Sequence, residues 1–215
     1  MFIQNNIVRQ RLSRVYVISG SACAGKTTVS RMLAEKHGFA RYDMDAMYER
    51  HRAMADPKHQ PMMCRHMEDF HAQWTKPAWE HAQLLMGMIA EQSEMVVLDL
   101  MEAARERPVV ADVIYAPIYS RSILSERQFV FLTAVKSELR RTYFHRPEKQ
   151  SFYEFVQRQP LAQTYFENIF AGLELTHDLE LQEARRSGLP ILERTAGDTP
   201  ETMLARVEHL FGLDA

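Results

Sequence analysis

Gly20-Ser21-Ala22-Cys23-Ala24-Gly25-Lys26-Thr27-Thr28 decides the fold of this 215-residue chain. It is a complete G-x-x-x-x-G-K-[ST] phosphate-binding loop, and the residues on either side agree with it. Before it, Val15-Tyr16-Val17-Ile18 is the apolar, β-branched run expected of a parallel strand covered on both faces. After it, Val29, Met32, Leu33 and Ala34 recur at helical spacing and Gly38 supplies a stop. Glycines let the backbone curl so that successive N–H groups point at phosphate oxygens, and the following helix adds the positive end of its dipole. In such a loop Lys26 reaches the β- and γ-phosphates and the Thr27 hydroxyl takes a position on Mg²⁺.

Outward from the loop, strand and helix signals alternate as a parallel sheet with crossover helices requires. The pattern predicts strands over 14–19, 40–42, 108–114, 128–132 and 190–193, with helices over 25–37, 94–107 and 161–187. Pro77 marks a fresh helix start, with Trp79, Leu85, Met86 and Ile89 on its buried side. At this length and with 46% hydrophobic residues, one α/β domain with a sizeable core is expected.

Composition narrows the partners. Twenty-six basic and twenty-eight acidic side chains give a formal charge of −2, so no electrostatic footprint exists for long nucleic acid or an anionic membrane. Apolar runs fall short of a membrane span and the N-terminus lacks a signal-peptide core, which leads to the expectation of a cytoplasmic protein. The two cysteines, Cys23 and Cys64, form no disulfide framework. Cys23 reads as a small filler of a variable loop position.

Tyr42-Asp43-Met44-Asp45 follows the second strand, placing its aspartates seventeen and nineteen residues after Lys26. Carboxyl ends of neighbouring parallel strands share one crevice, so these carboxylates face the phosphate loop. If residue 43 is extended, both project to one side, one holding Mg²⁺ and the other orienting an acceptor hydroxyl. The competing reading is an aspartate capping the turn that starts at Ala46.

With Gly20 to Thr28, Asp43-Met44-Asp45 and the strand order through residue 195, the chain resembles the small P-loop kinases, the group of shikimate kinase, gluconate kinase and the nucleoside monophosphate kinases. The resemblance implies a five-stranded parallel sheet, ATP with Mg²⁺, and a mobile lid carrying arginines. The candidate lid lies over 136–160. Its arginines Arg140, Arg141 and Arg146 cannot all face one site, because 140 and 141 diverge by about 100° on a helix; one or two belong at the phosphates and the rest in solvent. Arg158 is a reserve candidate. The chain departs from the shikimate kinases at Ala111-Asp112-Val113-Ile114-Tyr115, which lacks their glycine-rich ring-binding segment, so their substrate does not carry over.

Asp112 at the end of its strand is the candidate Walker-B-type carboxylate; Asp99 is the alternative if Val96-Val97-Leu98 is extended, although its spacing favours a helix. Residues 46–81 form the candidate acceptor-binding insertion, rich in histidine (His51, His59, His66, His71, His81) and methionine (Met54, Met62, Met63, Met67). Cys64, His66 and His71 match no standard zinc spacing. The methionines and Trp74 suit an adaptable apolar wall or simply core. Arg50, Arg52 and Arg65 suit either an anionic acceptor or a solvated face. Near the C-terminus, Thr199 or Asp198 caps the last helix, and by resemblance the backbone there passes the adenine ring. The expected activity is phosphoryl transfer from ATP to a small metabolite, with Lys26, Asp45 and the lid arginines catalytic and Thr27, Asp43 and Asp112 around the metal. A nucleoside monophosphate or polynucleotide kinase and a non-catalytic ATP-binding regulator are the alternatives, and the 161–187 helix leaves monomer and homodimer both open.

Overall fold

The computed structural model describes residues 3–65 and 70–214. A short helix α1 (Asn5–Arg11) precedes β1 (Val15–Gly20), the phosphate loop and α2 (Lys26–His37). Then come β2 (Ala40–Asp43), α3 (Tyr48–Met54), α4 (Phe70–Trp74) and the long α5 (Ala78–Ala103). β3 (Val109–Asp112), β4 (Phe129–Ala134), α6 (Lys136–Thr142), α7 (Gln150–Gln157), α8 (Ala162–Ser187), β5 (Ile191–Arg194) and α9 (Pro200–Phe211) complete the chain. All five strands are parallel, in the order β2-β3-β1-β4-β5.

That order is the P-loop nucleoside triphosphate hydrolase architecture expected from the sequence. Each strand is one or two residues from its predicted place, and the sheet is covered on both sides because its central strands are apolar on both faces. Val15, Val17, Phe129 and Phe131 pack with Leu100, Tyr115 and Tyr119 beneath α5 and α8. Ile18, Val130 and Leu132 pack with Leu33, Val207 and Phe211 beneath α2 and α9. Helix ends follow the sequence signals: Gly38 donates its N–H to Ala34 O at the end of α2, and Thr199 caps α9 in a reciprocal box with Thr202. Asp198 instead accepts from the Thr195 N–H and hydroxyl.

Two predicted details differ. The 94–107 helix is the end of α5 and stops at Ala103, because Ala104 onward turns to meet β3. Trp79 is 58% exposed rather than buried. The buried stripe of α5 runs through Ala82, Ile89, Val96 and Leu100. Trp79 shares its row with the exposed Gln83 and Ala90, on the other side of the helix.

One end of the sheet gathers the chemistry. Register pairs Ile18 of β1 with Asp112 of β3, and Asp112 with Asp43 of β2, so the loop after β1 and both aspartates emerge at the same edge. The segment 136–157 closes over that edge and is pinned by an aromatic cluster in which Phe144 meets Phe166 and Phe170 of α8 at centroid distances of 5.2 and 5.5 Å.

Candidate functional site

The phosphate loop is held by close backbone approach. Gly20, with φ of +133°, runs against β4, and the Leu132 carbonyl accepts the Ser21 N–H at 3.0 Å. Gly25 takes φ of +91° at the start of α2, where only a residue without Cβ is unstrained. Cys23 is also left-handed, at φ of +64°, and its carbonyl accepts from Arg194 at 3.4 Å. Ser21 and Ala24 are buried within the loop. Lys26 Nζ donates to the carbonyls of Gly20 at 2.6 Å and Ser21 at 2.9 Å, spanning the loop it belongs to.

A cavity of about 550 Å³ opens at this loop, lined there by Gly20, Ala22, Lys26 and Thr27. Thr28, the last loop position, is not among its lining residues. Asp43, Asp45 and Asp112 line the same cavity. Asp112 is buried, and burial lifts its carboxyl above the usual carboxylate range, while Lys26 and a hydrogen bond with Thr27 pull it back. Its negative charge is costly in that burial until a cation meets it.

Asp43 and Asp45 do not project side by side as an extended pair. Asp43 ends β2, and the chain turns at Met44 into a single turn of 3₁₀ helix over Asp45–Met47. Asp43 Oδ1 accepts the N–H groups of Asp45 at 3.1 Å and Ala46 at 3.3 Å, the capping role, and its Oδ2 accepts from Arg41 at 2.7 Å. Arg41 also reaches Asp112 at 3.5 Å. Asp43 is therefore engaged by Arg41 and the turn, whereas Asp45 makes no side-chain bond among the described residues and stands exposed at the mouth of the cavity.

The arginines of the candidate lid separate. Arg146 lines the cavity, its guanidinium 4.9 Å from the centre of the Tyr143 ring, which Lys149 also approaches at 5.6 Å. Arg140 and Arg141 do not reach it. Arg140 bonds Glu174 and Glu167 on α8 and lies over Phe170; Arg141 pairs with Glu138 one turn back at 2.6 Å. Arg140 is held by carboxylates of α8 and Arg141 by one of α6 itself, which is the physical reason they turn away. Arg158 is exposed and near Glu154.

Asp99 sits on α5, as its helical spacing implied, in a separate cluster. It accepts from the Tyr42 hydroxyl and His51 Nε2, each at 2.9 Å, and from Arg50 at 2.5 Å. Of the described residues of the 46–81 insertion only Tyr48 lines the cavity, and Met44 and Met88 are the methionines there. Met54 and Met62 are exposed, Met63 is core, and Arg52 faces Glu49 at 3.9 Å. His66 and Met67 lie outside the described residues, and His71 Nδ1 is bonded to the Tyr165 hydroxyl at 2.6 Å.

Sequence reasoning missed the residues that face the cavity from α5 and α8, among them Gln92, His177 and Glu180. A signal for Glu180 existed. Tyr165, Ile169, Gly172, Thr176, Glu180 and Ala184 recur at spacings of three and four, so the acid sits in the buried stripe of its helix. Arg41 was legible too, two residues before Asp43 on a strand and hence on the same face.

Residues 3–85 match a family model described as Zeta toxin. No curated protein matches the chain. The matched segment holds β1, the phosphate loop, β2 and the Asp43 to Asp45 turn. Together with the sheet order, the match supports a P-loop kinase family in general and does not single out the shikimate, gluconate or nucleoside monophosphate kinases.

Proposed function

We propose that this protein is an ATP-dependent phosphotransferase that moves the γ-phosphate of ATP to a hydroxyl of a small molecule. One observation carries the reading: the phosphate loop, Asp45, Asp112 and Arg146 line a single cavity that continues between α5 and α8. Donor and acceptor thus share one chamber, as in-line transfer requires.

In this reading Lys26 leaves the loop carbonyls to meet the β- and γ-phosphates. Asp45 orients the attacking hydroxyl and takes its proton. Arg146, near the Tyr143 ring, neutralises charge on the transferring group, and its planar fork can hold two phosphate oxygens at once. Thr27 and Asp112 suit Mg²⁺, being hard oxygen donors beside the loop. Asp43 contributes by holding Arg41 and the turn on which Asp45 stands. An ion held by Thr27 and Asp112 would take the rest of its shell from nucleotide phosphates and water. Bound there, Mg²⁺ would supply charge neutralisation at the phosphates.

The test is transfer of label from γ-phosphate-labelled ATP into a pool of cellular small molecules. Lys26→Ala is expected to lower transfer about 10²–10³-fold, the scale of losing a preorganised charge at the transition state. Asp45→Asn is expected to lower the rate about 10²–10⁴-fold while ATP affinity stays within a few-fold, the mark of a group acting on the acceptor. Full turnover in Asp45→Asn removes it from the role of base. ATP binding with no labelled product from wild type would favour a nucleotide-binding regulator.

A further inference from the structure

The inner half of the cavity is built by two long helices and differs from the phosphate end. Leu85, Met88 and Ile89 of α5 and Leu173 of α8 make it apolar. Into this wall project Glu180 and His177, which are 3% and 7% exposed. Neither makes a hydrogen bond or ion pair to protein among the described residues. A buried acid with no protein partner is costly unless water or a ligand completes it, and the cavity gives both groups room for one.

Their protonation follows from their surroundings. Burial pushes Glu180 up to about 8 against the pull of Lys26, so it is a neutral acid at pH 7, able to donate and to accept. Burial lowers His177, leaving a neutral ring with one donor and one acceptor nitrogen. The influence of Lys26 on Glu180 also ties this acid to the reacting end of the cavity.

The cations of the cavity lie elsewhere. Lys26, Arg146 and Lys149 come from the phosphate loop and the 143–149 segment, and α5 and α8 supply none. Arg50, a sequence candidate for binding an anion, is bonded to Asp99 and does not line the cavity. In the phosphotransfer reading Lys26, Arg146 and Lys149 answer the ATP phosphates, so a phosphate or carboxylate of the acceptor held between α5 and α8 would be desolvated without a counter-charge of its own, and an ammonium there would meet no anion while Glu180 holds its proton.

We infer that the acceptor is an uncharged, hydroxyl-bearing molecule with an apolar body, gripped through hydrogen bonds by Glu180 and His177 while α5 packs its apolar face. This rests on the phosphotransfer reading. It excludes mononucleotides and sugar phosphates as acceptors.

The experiment divides a cellular small-molecule extract by ion exchange into anionic, cationic and neutral fractions. Each is offered to the full chain in two assays: retention by the protein with a non-hydrolysable ATP analogue, and label transfer from γ-labelled ATP. Retention and labelling from the neutral fraction alone, on compounds that also bind a reversed-phase column, are the expected result. Glu180→Leu should lower that retention at least tenfold, and Glu180→Gln, which keeps a neutral hydrogen-bonding group, should stay within about threefold of wild type. Binding of the ATP analogue by each variant reports that it is folded. Retention without labelling would uphold the acceptor class and sink the transfer reading. Labelling of an anionic or cationic compound would uphold transfer and overturn the acceptor class. Nothing retained or labelled from any fraction would overturn both.

Discussion

A Cβ placed on Gly20 would lie 1.9 Å from the carbonyl oxygen of Leu132, its register partner in β4. That oxygen is also the acceptor for the Ser21 N–H, so the strand cannot retreat without breaking the bond that starts the phosphate loop. Gly25, five residues on, has open space around its Cβ position. The two glycines of one motif are therefore required for different reasons. Gly20→Ala is expected to lose the fold or at least about 3 kcal/mol, because backbone must move. Gly25→Ala should cost only about 1–2 kcal/mol of left-handed strain. Urea denaturation of both variants measures the contrast, and equal losses would refute the close-approach account.

Arg140 and Arg146 sit six residues apart in the 136–157 segment and predict opposite phenotypes. Arg146 lines the cavity, so Arg146→Ala should lower kcat about 10²-fold with little change in Tm. Arg140 braces α6 on α8 through exposed ion pairs, so Arg140→Ala should leave kcat within a few-fold and cost at most about 1 kcal/mol of stability. Steady-state kinetics on the two variants decides between them.

Glu180 makes stability depend on pH in a direction opposite to an ordinary ion-paired carboxylate. Its native pKa of about 8 stands above the usual 4.5, so between those values the folded chain holds a proton that the unfolded chain has released. Its contribution is full below about pH 4.5, falls as pH rises through 8, and is flat beyond. Lys26, the charge acting on it, opposes the shift without reversing it, and His177, beside it on α8, is held neutral by burial. Tm of wild type should fall between pH 5 and 8 more steeply than that of Glu180→Gln, measured by thermal melts in matched buffers. Parallel curves would show that Glu180 is ionised in the folded protein.

Asp99 is the common acceptor for Tyr42, His51 and Arg50, joining β2, α3 and α5. Removing it leaves His51, only 1% exposed, and the Tyr42 hydroxyl without that partner. Asp99→Ala should cost about 2–4 kcal/mol, the sum expected for two deprived polar groups. Because Asp99 does not line the cavity, kcat of the folded fraction should stay within a few-fold. A large fall in kcat at unchanged stability would instead give Asp99 a part in the chemistry.

Much of the architecture was legible along the chain because its signals are local. The loop from Gly20 to Thr28 encodes its own backbone path. The apolar runs at Val15, Val109 and Phe129 announce strands buried on both faces, and Thr199 announces the start of α9. Asp43 and Asp45 were traceable to the right edge because consecutive parallel strands deliver their ends to one crevice. Even the error at Trp79 was local, a residue assigned to the wrong row of its helix.

What the sequence determined alone is the succession of strands and helices of a P-loop fold and the presence of acids and arginines near a phosphate loop. Only the tertiary structure decided which of them meet. Arg146 reaches the cavity and Arg140 does not, because Glu167 and Glu174 wait on a helix some thirty residues later in the chain. Asp43 is taken by Arg41 and its own turn, leaving Asp45 exposed to the cavity. Glu180 and His177 acquire their place only when α8 crosses α5 over the sheet edge. Backbone conformation follows from residues a few positions apart, whereas the partner, burial and proton of a side chain follow from segments that only folding brings together.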